Sequence, residues 1–248
     1  MTISGNYPYE ISPHLAEYNV PFPDFISSHP EYSAFIVGAF IFFTRSARDG
    51  SEISLTPSTT STVQSENDPA LCKQALFDQQ PCVLLLQRSL SDSYGGLWEG
   101  PGGSCEDTDA TLLDSLAREV LEESGLHVSH VRELVATEKW EIKGGRGTAM
   151  KYSFLVDVYE AGSTGNKEFD ASIQIPPPDG WECRIKLAPG EHEDYVWATE
   201  EEVQSAIDGK EDKIKLKLAQ EEQNILKAFK IYHSLRSSPT VNANPARN

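Results

Sequence analysis

The stretch Asp109–Ser124 limits the possible folds of this chain more than any other. On a helical wheel of about 100° per residue, Leu113, Leu116 and Val120 share one face, and Glu119, Glu122 and Glu123 cluster on a neighbouring one at i, i+3 and i+4. A helix with one apolar stripe needs a surface to bury it against, and the segments around it read as strands. Ser33–Phe43 (SAFIVGAFIFF) and Cys82–Arg88 (CVLLLQR) precede it, and Val131–Trp140 and Met150–Tyr159 follow, joined by a hairpin turn at Lys143–Gly147 (KGGRG). Tyr195–Val203 reads as a strand passing into a helix with Thr199 as N-cap. A last helix, from about Asp212 to Leu235, carries Leu218, Ile225, Phe229 and Tyr232 as its buried stripe. Strands on both sides of a central helix, with another helix closing the chain, predict an α/β/α sandwich built on a mixed β-sheet.

The domain spans 32–236, with polar insertions at about 45–70 and 162–180. The Ser/Thr/Asp-rich insertion at 45–70 has too few apolar side chains to offset its ordering entropy. Residues 1–31, punctuated by Pro13, Pro21, Pro23 and Pro30, read as an N-terminal strap over the surface, and 237–248 as a disordered tail. The start, MTISGNYPYEISPH, has neither a basic cluster nor an apolar run, so no signal peptide is expected. The longest apolar run is about half of what a membrane-spanning helix needs, so no membrane partner is expected. Cys72, Cys82, Cys105 and Cys183 form no C-x-x-C pair and read as reduced thiols of a cytoplasmic protein.

With 38 acidic against 21 basic residues the net charge is -17, and no Lys/Arg block relieves it locally. Long-range repulsion therefore argues against a nucleic-acid polymer. Small phosphates remain compatible, because a bound divalent cation inverts the field inside an acidic pocket. An acidic helical face is ordinarily solvated, but three carboxylates near a helix C-terminus oppose the macrodipole. Mg²⁺ would supply the compensation, since it takes oxygen ligands and shares its coordination with substrate phosphates. The Gly102-Gly103 turn lets backbone approach closely and offer a carbonyl to the same ion.

The run GGSCEDTDATLLDSLAREVLEESGL resembles the Nudix box, G-x5-E-x7-R-E-U-x-E-E-x-G-U with U apolar. Its second half matches at Arg118, Glu119, Val120, Glu122, Glu123, Gly125 and Leu126, and LWEGPGG and CVLLLQR resemble the family's usual approach to the box. The likeness extends over roughly 34–207. Two departures stand out: counted back from Arg118, the first box glutamate is replaced by Ala110, and the loop after Gly103 carries one extra residue. Asp109 or Glu106 is the candidate to take over that role.

The resemblance implies water attack on phosphorus in a small molecule containing a diphosphate linkage, typically a nucleoside diphosphate joined to another group. It implies Mg²⁺, with Mn²⁺ as a substitute, held by Glu122 and Glu123, the carbonyl of Gly103, and Glu119 as either ligand or general base. Arg118 would orient the glutamates. Glu193, in GEHEDYVW, is a second candidate base, with Glu191 or Asp194 as alternatives. Arg88 and Trp140 are candidate substrate contacts, to the diphosphate and to a base respectively, and no histidine shows ligand spacing. The alternative reading is a catalytically weak Nudix-fold binding or regulatory module that recognises a nucleotide-like ligand, suggested by Ala110 and the extra loop residue. The box leaves open which diphosphate is the substrate and what the oligomeric state is, a homodimer included, since specificity resides in loops.

Overall fold

In a computed structural model, the residues described are 7–46, 79–91, 93–162, 180–210, 213–216 and 219–237. Seven strands form one mixed sheet: β1 (Glu10–Ile11), β2 (Ala34–Ser46), β3 (Gln79–Arg88), β4 (Trp98–Glu99), β5 (Val128–Glu141), β6 (Thr148–Val158) and β7 (His192–Thr199). The order is β1-β5-β6-β2-β3-β4, with β7 also paired to β3. The β1–β5 and β2–β6 pairs are parallel, and β2–β3, β3–β4, β3–β7 and β5–β6 antiparallel. Among the described residues four α-helices accompany the sheet: α1 (Phe22–Ser28), α2 (Leu112–Ser124), α3 (Glu200–Ile207) and α4 (Ala219–Ser237).

Period-two alternation explains why the sheet is covered on both faces. Along β2, Phe35, Val37, Ala39 and Ile41 join one core cluster with Leu112, Leu113, Leu116 and Val120 of α2. The intervening Phe40 and Phe42 join the other, with Ile225, Ala228 and Phe229 of α4. β3 divides in the same way, Cys82, Leu84 and Leu86 facing the first cluster and Val83 and Leu85 the second. The result is the α/β/α sandwich expected from the sequence.

Two helix starts move. Helix α2 begins at Leu112, not Asp109, because Thr111 is its N-cap and accepts the N–H of Asp114 at 3.0 Å. It ends at Gly125, which takes the left-handed conformation and donates its N–H to Leu121 O at 2.9 Å. Helix α4 begins at Ala219; ahead of it the chain is extended at Leu216, which bridges to Trp98, and Trp98 Nε1 donates to Lys213 O at 2.9 Å. Leu218 lies outside the described residues.

The N-terminal segment is more than a surface strap. Leu15, Phe22 and Phe25 are buried in the first core cluster, the Phe22 N–H donates to Ala110 O at 2.9 Å, and the Tyr9 hydroxyl donates to Asp114 at 3.0 Å. These contacts brace the start of α2, as aromatic side chains placed between short prolyl turns can do. Nearly all of the 45–70 insertion, most of the 162–180 insertion and the tail from 238 onward fall outside the described residues, as does Cys72. Cys105 and Cys183 carry free thiols.

Candidate metal centre and active site

The loop after β4 is zipped along β2, and this brings the diglycine turn to the carboxylates. Ala39 N–H donates to Pro101 O at 2.8 Å, Val37 N–H to Gly103 O at 2.9 Å, and Cys105 N–H to Phe35 O at 2.9 Å. A Cβ on Gly102 would lie 2.2 Å from Val37 O, and one on Gly103 2.7 Å from the Glu119 carboxylate. Gly102 therefore needs glycine for close approach, and a side chain at 103 would push the Glu119 carboxylate aside. The Gly102 N–H donates to Glu123 Oε2 at 2.7 Å. The Gly103 carbonyl, already accepting one hydrogen bond from β2, keeps a second lone pair.

Arg118 organises the other side of the cluster. Its Nε and Nη2 grip Asp109 with two bonds of 3.0 Å, Nη1 donates to Glu119 at 3.0 Å and Glu122 at 3.1 Å, and Nη2 donates also to Ser104 O at 3.0 Å. Asp109 further accepts the Glu106 N–H at 2.8 Å and the Ser115 hydroxyl at 2.7 Å. Burial alone would raise the Asp109 pKa, but the bonds from Arg118, Glu106 and Ser115 outweigh it and hold the carboxyl below its ordinary range. Asp109, not Ala110, is the residue that holds Arg118, and it lies at the box-glutamate spacing when counted forward from Gly103. Ala110 itself is exposed.

Glu119 and Glu123 are buried, and burial raises both pKa values, that of Glu123 to about 8. For Glu123 the Gly102 N–H offsets only part of the effect of burial, and Glu119, Glu99 and Glu191 add repulsion. Glu122, by contrast, is 57% exposed and reaches Arg118 across one turn. From the neighbouring strand, Glu191 and His192 complete a group with Glu123 whose ligand atoms all lie within 4.8 Å of one another. The His192 ring is buried, its Nδ1 3.9 Å from Glu123 Oε1.

A bulge explains why His192 faces inward. Gln87 pairs with Asp194 but Arg88 with His192, so Glu193 is the extra residue on β7. Its carboxylate accepts the Ser89 hydroxyl at 2.9 Å and the Leu90 N–H at 3.0 Å, tying down the loop after β3. Arg88 ion-pairs with buried Glu99 and donates from Nε to Ser93 O at 2.8 Å. Trp140 stands elsewhere, 45% exposed at the hairpin end of β5. There it borders an open groove of about 400 Å³ with Tyr32 and Lys139, and none of the lining residues belongs to the carboxylate cluster.

Thus Arg118, Glu119, Glu123 and the diglycine loop come together, Glu122 stands at their solvent edge, Arg88 and Glu193 frame the adjacent loop, and Trp140 is separate. Glu99 and His192 escape the sequence reading. Glu99 lies within the LWEGPGG signature, whereas His192 has no sequence signal, because its direction is set by the bulge.

Residues 74–219 match the family model described as NUDIX domain, which is more than half of the chain. The chain belongs to the Nudix family. Helix α2 is thus the helix of its Nudix box. Among curated proteins, CTP pyrophosphohydrolase of Escherichia coli is 36% identical over 70 residues, 28% of this chain and 50% of that protein. The 8-oxo-dGTP diphosphatase of Proteus vulgaris is 41% identical over 54 residues, 22% of this chain and 47% of that protein. The chain spans about half the length of these curated relatives. Among solved structures, the NUDIX domain of Shewanella oneidensis NrtR complexed with ADP ribose is 16% identical with a TM-score of 0.46, covering 80% of this chain and 87% of that one. No helix among the described residues is long and apolar enough to cross a membrane.

Proposed function

We propose that this Nudix domain hydrolyses a phosphoanhydride bond in a nucleoside diphosphate-linked or related small molecule, and that it does so with a divalent cation. The observation that carries this reading is the convergence of buried Glu119 and Glu123 on the diglycine loop, with no lysine or arginine among the described residues bonded to Glu123 as Arg118 is to Asp109. A carboxylate pushed up to about 8 by burial and like charge is a group awaiting a cation. The donor set, carboxylate oxygens around a backbone turn, fits Mg²⁺ or Mn²⁺.

Glu123, Glu119 and the Gly103 carbonyl would hold the ion, and Glu122 would join from the solvent edge. When bound, such an ion neutralises phosphoryl charge and lowers the pKa of a coordinated water. The chain's own groups do the rest. Arg118, fixed by Asp109, holds Glu119 in place through a charge-assisted bond. Glu119, its pKa raised by burial, would accept a proton from the attacking water where it is not itself a ligand, and Glu193, tied to Ser89 and Leu90 on the outer side of the bulge, is the weaker candidate for that task. Arg88, oriented by Glu99, would meet the diphosphate, whereas Trp140, apart from the carboxylate cluster, would reach at most a remote part of the substrate.

The names of the curated relatives put nucleotides first in a substrate panel. A net charge of -17 favours a small molecule over a nucleic-acid polymer. The alternative of an inactive binding module rested on Ala110, and the Asp109 clamp removes much of its physical basis. The test is turnover of a diphosphate panel with Mg²⁺ or Mn²⁺ and product identification. Cleavage lost in Glu123→Gln supports the reading, and tight nucleotide binding without cleavage in the wild type overturns it.

A further inference from the structure

We infer that His192 supplies a nitrogen ligand to the cation of this centre and tilts its preference from Mg²⁺ towards Mn²⁺. The inference rests on the hydrolytic reading of the same site, and deepens it by assigning a residue that the box does not contain.

Three observations carry it. The imidazole is buried, with 1% of its side chain exposed, and Nδ1 lies 3.9 Å from Glu123 Oε1. Ligand atoms of Glu123, Glu191 and His192 lie within 4.8 Å of one another, near the spread of donors around one divalent ion. The ring is also aimed there by backbone architecture. The bulge at Glu193 breaks the alternation of β7, and Glu193 anchors it through Ser89 and Leu90, while Ser89 N–H donates to Glu191 O at 2.8 Å. The same bonds that send Glu193 outward therefore hold Glu191 and His192 on the Glu123 side.

The choice of ion follows from ligand chemistry. Mg²⁺ favours an all-oxygen shell and retains its waters; Mn²⁺ also takes oxygen ligands and stands lowest of the first-row series, but as a transition ion it accepts an imidazole nitrogen more readily than Mg²⁺ does. One nitrogen among carboxylates leaves Mn²⁺ well accommodated and gives Mg²⁺ a poorer site.

The experiment uses the full chain carrying ¹⁵N-histidine, loaded with Mn²⁺ and examined by electron spin-echo envelope modulation. Mn²⁺ and Mg²⁺ affinities are measured alongside by calorimetry. Histidine nitrogen coupling to Mn²⁺ is expected in the wild type. In His192→Gln it should vanish, and the Mn²⁺-over-Mg²⁺ affinity ratio should fall by at least about tenfold. Mn²⁺ bound without histidine coupling, yet displaced by Glu123→Gln, overturns the nitrogen ligand and leaves the hydrolytic reading standing. Absence of specific Mn²⁺ and Mg²⁺ binding overturns both. If His192→Gln does not fold, His192→Asn takes its place, and a wild-type spectrum without histidine coupling overturns the ligand whatever the variants do.

Discussion

The two flanks of the acidic helix solve the same electrostatic problem in opposite ways. On one flank, Asp109 is gripped by both arms of the Arg118 guanidinium and by two further donors, and its pKa falls despite burial. On the other, Glu123 has one backbone donor among Glu119, Glu99 and Glu191, and its pKa climbs to about 8. A satisfied carboxylate is architecture; a buried and crowded one marks where an outside charge belongs. The sequence shows acidic side chains on both flanks, and only their surroundings separate them.

The largest effect should come from breaking the satisfied flank. Arg118→Ala leaves Asp109 buried without its cation and should cost about 3–5 kcal/mol of stability by chemical denaturation. A loss comparable to that of an exposed helix pair would show that the clamp is unimportant. Activity should fall as well, because Glu119 loses its orienting bond.

On the crowded flank, Glu123→Gln should lower turnover by roughly 10²–10³-fold while the metal-free protein stays folded. Undiminished turnover would remove Glu123 from the centre.

Titration sharpens the contrast. Because the folded Glu123 pKa is raised, its contribution to stability is fully present below the ordinary glutamate range and is lost as pH rises through about 8. Asp109 runs the other way: its pKa is lowered, so its contribution is present above the ordinary aspartate range and is lost as pH falls through the folded value. Metal-free melts from pH 5 to 9 should therefore show Glu123→Gln gaining on the wild type as pH rises. Cation binding near pH 7 should release protons, read by calorimetry in buffers of different ionisation enthalpy. A flat difference between the melts and no proton release would contradict the Glu123 assignment.

The smallest effect is expected at Ala110, which is exposed beside a clamp that already works. Ala110→Glu should shift stability by no more than about 0.5 kcal/mol and leave the rate within about twofold. A large gain in rate would instead revive the reading of a weakened catalyst.

Much of the fold was legible in the chain itself. Alternation along Phe35–Phe42 announces a strand buried on both faces, and the Leu113, Leu116 and Val120 stripe announces a helix packed on it. Thr199 and Gly125 mark helix ends through local backbone chemistry that needs no distant partner. The N-terminal segment was read less well, because its prolines report local conformation and say nothing of Phe22 and Phe25 finding the core. In the candidate site, the grouping of Arg118, Glu119, Glu122 and Glu123 was evident from helical spacing. Their unequal burial was not, since it depends on the loop laid along β2.

Local order of the chain, through the two periods of side-chain direction and the capping residues at helix ends, determined the sandwich and the acidic helix. Tertiary structure alone decided that Asp109 reaches Arg118, that Arg88 meets Glu99, and that a bulge turns His192 towards Glu123. Those contacts depend on register and on packing between segments far apart in sequence. A shift of one residue along a strand reverses the direction of every side chain beyond it, and no local pattern in the sequence records where such a shift falls.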